Sequence, residues 1–256
     1  MIKQSYSWGI VVAQIVALVV LLGVSEYLVG RGYIKDLYLA APSQVIKELL
    51  GLLHQGAFFK HLSATLIEFV LGYSAAIILG ISLGLFMILT PKAEHFCSPF
   101  LSALMAIPKV TIIPLMTLWL GIGLTNKMVI VFIFSFFPII FSTITGIKQT
   151  AENHLKVAHV FGASHAQIIR KVILPSAMPT IFAGMRLAAA SGLVGALFGE
   201  MLASKEGLGN ILVKATQLFD TAQVFAIIFI VTIISVLMIA LIDLLEKKVF
   251  LKWKAS

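Results

Sequence analysis

KVAHVFGASHAQIIRKVILPSAMP, Lys156 to Pro179, is a polar and basic stretch with one glycine and two prolines, set between long apolar runs. Within the connection 149–176, Glu152 to Phe161 reads as a short helix, and Gly162 suits the left-handed position that ends one. Ser164 can cap a second helix running toward Leu174. Pro175 and Pro179 are expected to limit that helix and start the next apolar run. Two short helices then meet at an elbow of Gly162, Ala163 and Ser164, where a partner's surface can approach the backbone. His159, His165, Arg170 and Lys171 supply a polar rim. From the residues alone, the elbow is either a docking point for a partner or a solvated connection.

The runs on either side set the class. Of 256 residues, 60% are hydrophobic and 12% charged, with a mean hydropathy of +1.05; a soluble domain is nearer ~45–50% apolar. A helix needs roughly 20 apolar residues to cross ~30 Å of hydrocarbon. Six segments meet or approach that length: 8–29, 69–89, 101–120, 128–147, 177–203 and 222–245. Strands of a membrane barrel would alternate over ~10 residues instead, which these runs do not. The reading is an all-α polytopic membrane protein, 1–256 forming one transmembrane domain. The first run follows Lys3 but is longer than the ~7–15-residue core of a cleaved signal, so it reads as a retained span. The single cysteine, Cys97, has no partner for a disulfide or a metal set.

The formal charge of +8 flanks the spans rather than forming a stripe interleaved with aromatics, which argues against nucleic acid. Lys92, Lys148, Lys156, Arg170, Lys171 and the tail lysines Lys247, Lys248, Lys252 and Lys254 form one set. Arg31, Lys35, Lys47, Lys60, Lys127, Lys205 and Lys214, diluted by Asp36, Glu48, Glu206 and Asp220, form the other. The positive-inside rule makes the first set cytoplasmic, with both termini on that side. Between the first two spans, Ser43 can cap an external amphipathic helix carrying Val45, Ile46, Leu49, Leu50 and Leu53.

Ala158, Gly162, Leu174 and Pro175 match in register the EAA motif of ABC importer permeases: Glu-Ala-Ala, three residues, Gly, nine residues, Ile, one residue, Leu-Pro. Val172 stands for the Ile, and Lys156 stands at the Glu position with its charge reversed. IPKVTIIPLMTLWLGIG (Ile107 to Gly123), GEMLASKEGLGNIL (Gly199 to Leu212), APSQV and LEKKVFLKW also resemble the nitrate, sulfonate and taurine branch of that superfamily. The resemblance implies a type I importer fold in the cell's inner membrane. It also implies two ATPase subunits that carry ATP and Mg, a second copy of this permease as a homodimer, and an external solute-binding protein. His159, Gln167 and the residues between them, with Ala158, Ala163, Ser164 and His165, would form the ATPase-docking coupling loop. No Walker A sequence is present, so no nucleotide cofactor is expected on this chain.

Several residues suit a moving path. Pro108 and Pro114 in the third span and Pro138 in the fourth permit kinks. In the fifth, Gly184, Ala188, Gly192, Gly195 and Gly199, with Ser191 beside them, allow close helix approach; static packing explains each singly. Charge inside a span is expensive and often functional. Lys109 could attract an anionic solute or snorkel, Arg186 could snorkel or pair, and Glu200 could brace the pore or an external loop. GISLG (Gly80 to Gly84) fits the G-x-S-x-G pattern formally but lies mid-helix, away from any strand-to-turn setting. The six histidines sit in flanks without HExxH spacing, so catalysis is not expected. The expectation is a permease for a small solute of the nitrate, taurine or alkanesulfonate type, with vitamin or pyrimidine precursors as the alternative. A passive channel or secondary carrier is the rival class.

Overall fold

The computed structural model describes residues 8–254, and no strand occurs among them. In chain order the helices are α1 (Trp8–Gly30), α2 (Pro42–His54), α3 (Gly56–Leu89), α4 (Pro91–Ala106) and α5 (Ile113–Leu120). They continue with α6 (Leu124–Lys148), α7 (Glu152–Val160), α8 (His165–Ile168), α9 (Leu174–Ala203), α10 (Leu208–Gln217) and α11 (Thr221–Lys254). Lys3, part of the signal-peptide argument, lies outside the described residues.

The chain divides into two compact units. One comprises the residues up to Phe59 together with Ile211–Val231. Its α1 is apolar on every side and buries only Val29, the pattern of a helix surrounded by hydrocarbon. Glu26 on α1 accepts from Ser43, through the main-chain N–H at 3.0 Å and the hydroxyl at 2.7 Å. Ser43 therefore ties α2 to α1 instead of capping α2 as the sequence suggests. Ala41 is the N-cap, its N–H held by Gln44 at 2.9 Å, and Pro42 opens the helix, where a missing donor is harmless.

The other unit, Lys60–Asn210 with Thr232 onward, is built on α6 against α9. Small residues of α9 admit side chains of α6: Gly184 faces Ser142, Gly192 faces Ser135, Gly195 faces Phe134 and Gly199 faces Ile130. Helices that close contribute through dispersion and shape. Tyr73 on α3 donates to the Met185 carbonyl at 2.8 Å, and Ser135 to that of Ala188 at 3.1 Å. Arg186 pairs with Asp243 at 2.7 Å and Glu246 at 2.5 Å on α11.

Three expectations change. The third span is not one helix: α4 stops at Ala106 and a 3₁₀ turn at Lys109–Ile112 leads into α5, the two limbs meeting at 87°. Pro108 forces Ile107 into an extended conformation, so the helix breaks there. Pro114 lies in the first turn of α5 and starts a helix rather than kinking one. Second, Pro175 and Pro179 do not limit a helix; α8, a π turn at Ile169–Ile173 and α9 run on as a single apolar helix, His165–Ala203, of 39 residues. The Leu174 N–H reaches back to the Ile169 carbonyl, and this wider turn relieves the clash of the Pro175 ring with the preceding turn. Third, Lys127 is no topology marker at a span's edge. It is 6% exposed and its ammonium sits 2.6 Å from Glu68. Two further features extend the reading: α3 begins at Gly56, well before the expected span, and α10 is an additional short helix.

Candidate functional site

The elbow is built entirely from local chemistry. At the end of α7 the Gly162 N–H reaches the His159 carbonyl at 2.9 Å, and the Ala163 N–H reaches that of Ala158 at 3.0 Å. That crossed pair is a Schellman stop, and Gly162 supplies the left-handed residue it requires at φ +69°. The next residue already starts α8: the Ser164 hydroxyl accepts from the Gln167 N–H at 3.4 Å, while the Gln167 side chain accepts from the Ser164 N–H at 2.8 Å. One helix is thus closed and another opened without a free residue between them. His159 ends the last turn of α7 and His165 opens α8.

The corner presents apolar groups that the sequence reading passed over. Val160 is 86% and Phe161 85% exposed, with Val157 beside them. A loop whose only role is to be wetted would not place its largest apolar side chain outermost. Lys156, at the motif's Glu position, pairs with Glu152 at 3.2 Å. Leu174 and Pro175 begin α9 directly beyond the π turn.

At the opposite end of the same helical rod lies a second cluster. Glu200, fully buried, accepts from the Thr65 hydroxyl at 2.6 Å and from the Gly209 N–H at 2.7 Å. Thr65 in turn accepts from the Leu208 N–H at 2.9 Å, and His61 Nδ1 accepts from the Gly207 N–H at 3.0 Å. Three successive amides at the start of α10 are therefore held by side chains of α3 and α9, filling the role of an N-cap from a distance in sequence. Gly207, at φ +108°, packs directly on the Glu200 carboxylate, where any Cβ would overlap it. In the turn after α9, beyond that span, Glu206 lies 2.7 Å from the Lys60 ammonium, which holds its carboxyl below the ordinary range.

Thr65, Glu68 and His61 were not site candidates from sequence, and Lys127 was read only as a flanking charge. The only signal was a lone acid, Glu68, inside the apolar run ATLIEFVLGY. The remaining candidates are dispersed. Lys109 stands at the α4–α5 break with its ammonium 5.2 Å from the centre of the Phe137 ring, next to Pro138 inside α6. Gly192 and Gly195 are filled by α6, and Ser191 is half-buried beside them. Among the described residues no group of side chains could hold a metal ion.

Over 93% of this chain and 92% of the relative, the sequence is 32% identical to the formylaminopyrimidine transport permease protein ThiX of Halalkalibacterium halodurans. It is likewise 32% identical, over 80% of this chain and 76% of the relative, to the taurine transport system permease protein TauC of Escherichia coli. In fold it resembles a chain of the inward-facing MetNI methionine ABC transporter, with a TM-score of 0.62 at 17% identity, covering 81% of this chain and 96% of that one. Residues 76–251 match the family described as the binding-protein-dependent transport system inner membrane component, and the chain belongs to that family, the permease subunits of type I ABC importers.

Proposed function

We propose that the chain passes a small polar solute inward across the cell membrane, driven by ATP hydrolysis on two separate ATPase subunits docked at the Gly162 elbow. The observation that carries this reading is the corner itself, two helices locked end to end with Val160 and Phe161 outermost. From that corner one helix, His165–Ala203, runs to the Glu200 cluster. At ~1.5 Å per residue it is long enough to join a docking face to the far end of the spans. ATP favours the closed ATPase pair, and a rigidly docked corner makes that state favour one arrangement of the permease. The coupling is therefore thermodynamic linkage.

In this reading the elbow and both termini face the cytoplasm, two copies of the permease surround the path, and an external binding protein delivers the solute. The relatives named for taurine and for formylaminopyrimidine mark two solute classes. Lys109, poised over Phe137, contributes a cation to the path.

The test is affinity purification of tagged chain from native membranes in mild detergent, with mass spectrometry of its partners, comparing wild type with Gly162→Glu. A Walker A ATPase retained by wild type and lost by the variant is the expected result. Absence of any ATPase from wild type, under conditions that preserve other complexes, would overturn the reading in favour of a channel or secondary carrier.

A further inference from the structure

On its outward side α11 passes from leucine to lysine within a single turn. Leu241, Leu244 and Leu245 are exposed on this span, the condition of side chains that meet hydrocarbon. Lys247 stands three residues beyond Leu244, and Lys248 stands four beyond Leu244 and three beyond Leu245. At that spacing both lysines continue the leucine face, and both are exposed.

The side toward α9 is built differently. Ile242 is buried there, and Asp243 and Glu246 both hold Arg186, at 2.7 and 2.5 Å. The two acids nearest the lysines are thus already engaged by another helix. Neither Lys247 nor Lys248 has an ion-pair partner among the described residues, and four lysines but no acid occur between Glu246 and Ser256.

Depth agrees with charge. A bilayer is ~40–45 Å thick with its headgroups and ~30 Å without them, so each headgroup layer is roughly 5–7 Å deep. At ~1.5 Å per residue, Lys247 and Lys248 stand roughly 3–5 Å past Leu245 along the helix. Leucines in the hydrocarbon therefore bring both ammonium groups to the level of the lipid phosphates, and their flexible stems can reach farther out.

We propose that Lys247 and Lys248 form a binding site for the phosphate headgroup of an anionic phospholipid, whose acyl chains lie along Leu241, Leu244 and Leu245. A zwitterionic lipid brings its own cation beside the phosphate, so two unpaired ammonium groups select for net negative charge. The inference goes beyond the importer reading and uses only the spans, not the docking at the elbow. It also adds a link: the turn of α11 that reaches the headgroups is the turn that grips Arg186 on α9, the helix continuing from the elbow.

The experiment uses the full chain with Leu244→Cys in a Cys97→Ser background, labelled with bimane and reconstituted into phosphatidylcholine vesicles at low ionic strength. Quenching is titrated with phosphatidylglycerol or phosphatidylcholine, each carrying the same nitroxide on its acyl chain. Half-quenching by phosphatidylglycerol is expected at about fivefold lower mole fraction or less, the attraction expected of one or more lysines near the surface. The double change Lys247→Gln with Lys248→Gln should bring the two lipids to parity. Lys47→Gln, which removes an exposed lysine of α2, should leave the preference unchanged. Size-exclusion recovery shows whether each variant is folded, and the two single exposed changes stand in if the double variant is not.

Equal quenching by the two lipids in wild type would overturn the proposal and leave the lysines as orientation signals only. A preference that survives loss of both lysines, or one that falls equally with Lys47→Gln, would place the lipid elsewhere. Loss of the preference in millimolar inorganic phosphate, at ionic strength matched with sodium chloride, would make the site one for a free anion instead. Co-purification of the ATPase tests the importer reading separately, so the two ideas fail independently.

Discussion

The carboxylate of Glu200 holds the main-chain N–H of Gly209 at 2.7 Å, nine residues along the chain and across a turn that only glycines fit. Gly207 adopts φ +108° there and leaves no room for a Cβ beside that carboxylate. Gly207→Ala is therefore expected to destabilise the detergent-solubilised protein by about 1–3 kcal/mol through backbone strain, before counting displacement of Glu200. A thermal melt followed by size-exclusion recovery should show a fall of several degrees. An unchanged midpoint would mean that the turn is not held as described.

Glu68 and Lys127 form a buried pair, and burial makes the effect of breaking it asymmetric. Glu68→Gln or Lys127→Met alone leaves one charge uncompensated and is expected to cost about 3–5 kcal/mol, while the double change recovers much of that loss. A double-mutant cycle on thermal stability measures the coupling. Simple addition of the two single effects would contradict the pairing.

Phe161 is expected to behave in the opposite manner. It is 85% exposed, so Phe161→Asp should leave the melting midpoint nearly unchanged, as surface substitutions do, yet reduce co-purification of the ATPase by about tenfold or more, as loss of an anchoring aromatic does. Wild-type recovery of the ATPase by this variant would count against the corner as its docking face.

Ser164→Ala removes the cap of α8 and is expected to cost about 1 kcal/mol locally. The readout is hydrogen exchange of residues 165–168, which should speed up while the amides of α6 remain protected. Uniform loss of protection across both helices would show that the elbow is not a separately folded corner.

Glu206 ties the turn after α9 to α3 through Lys60, and its folded-state pKa is depressed, chiefly by the Lys60 hydrogen bond. A depressed carboxyl contributes its stabilisation above the unfolded pKa, near ~4.3, and loses it as pH falls through the lower folded value. The labelling rate of a cysteine placed at the neighbouring exposed Lys205, divided at each pH by the rate of the same cysteine in Glu206→Gln so that the thiolate fraction cancels, should accordingly lie below one at neutral pH and approach one below about pH 4. A ratio of one at neutral pH would exclude the tie. Because the pair is exposed, added salt should mimic part of the effect.

Much of this architecture was legible in the residues, and the reason differs by element. Spans such as 8–29 and 222–245 were readable because length and apolarity are properties of a single run. The elbow was readable because Gly162 and Ser164 act on their own neighbours. The break at Pro108 was hidden by apolar residues on both sides, which kept the composition of 101–120 that of a span. The α10 start was hidden because its cap comes from Thr65, His61 and Glu200, far away in sequence. Lys127 read as a flanking charge because nothing near it in the chain announces Glu68. Ser43 was assigned to its own helix, when its partner is Glu26 on another.

The π turn at Ile169–Ile173 has a consequence for azimuth. A wide turn holds one residue more than an α turn, so the side chains of α8 and those of α9 are out of phase with an uninterrupted helix by about one residue, or ~100°. The face on which the corner meets its partner and the face on which α9 meets α6 are thus indexed to one another by a single surplus residue. Deleting Arg170 would restore an ordinary helix and swing the corner around the rod's axis without altering either face.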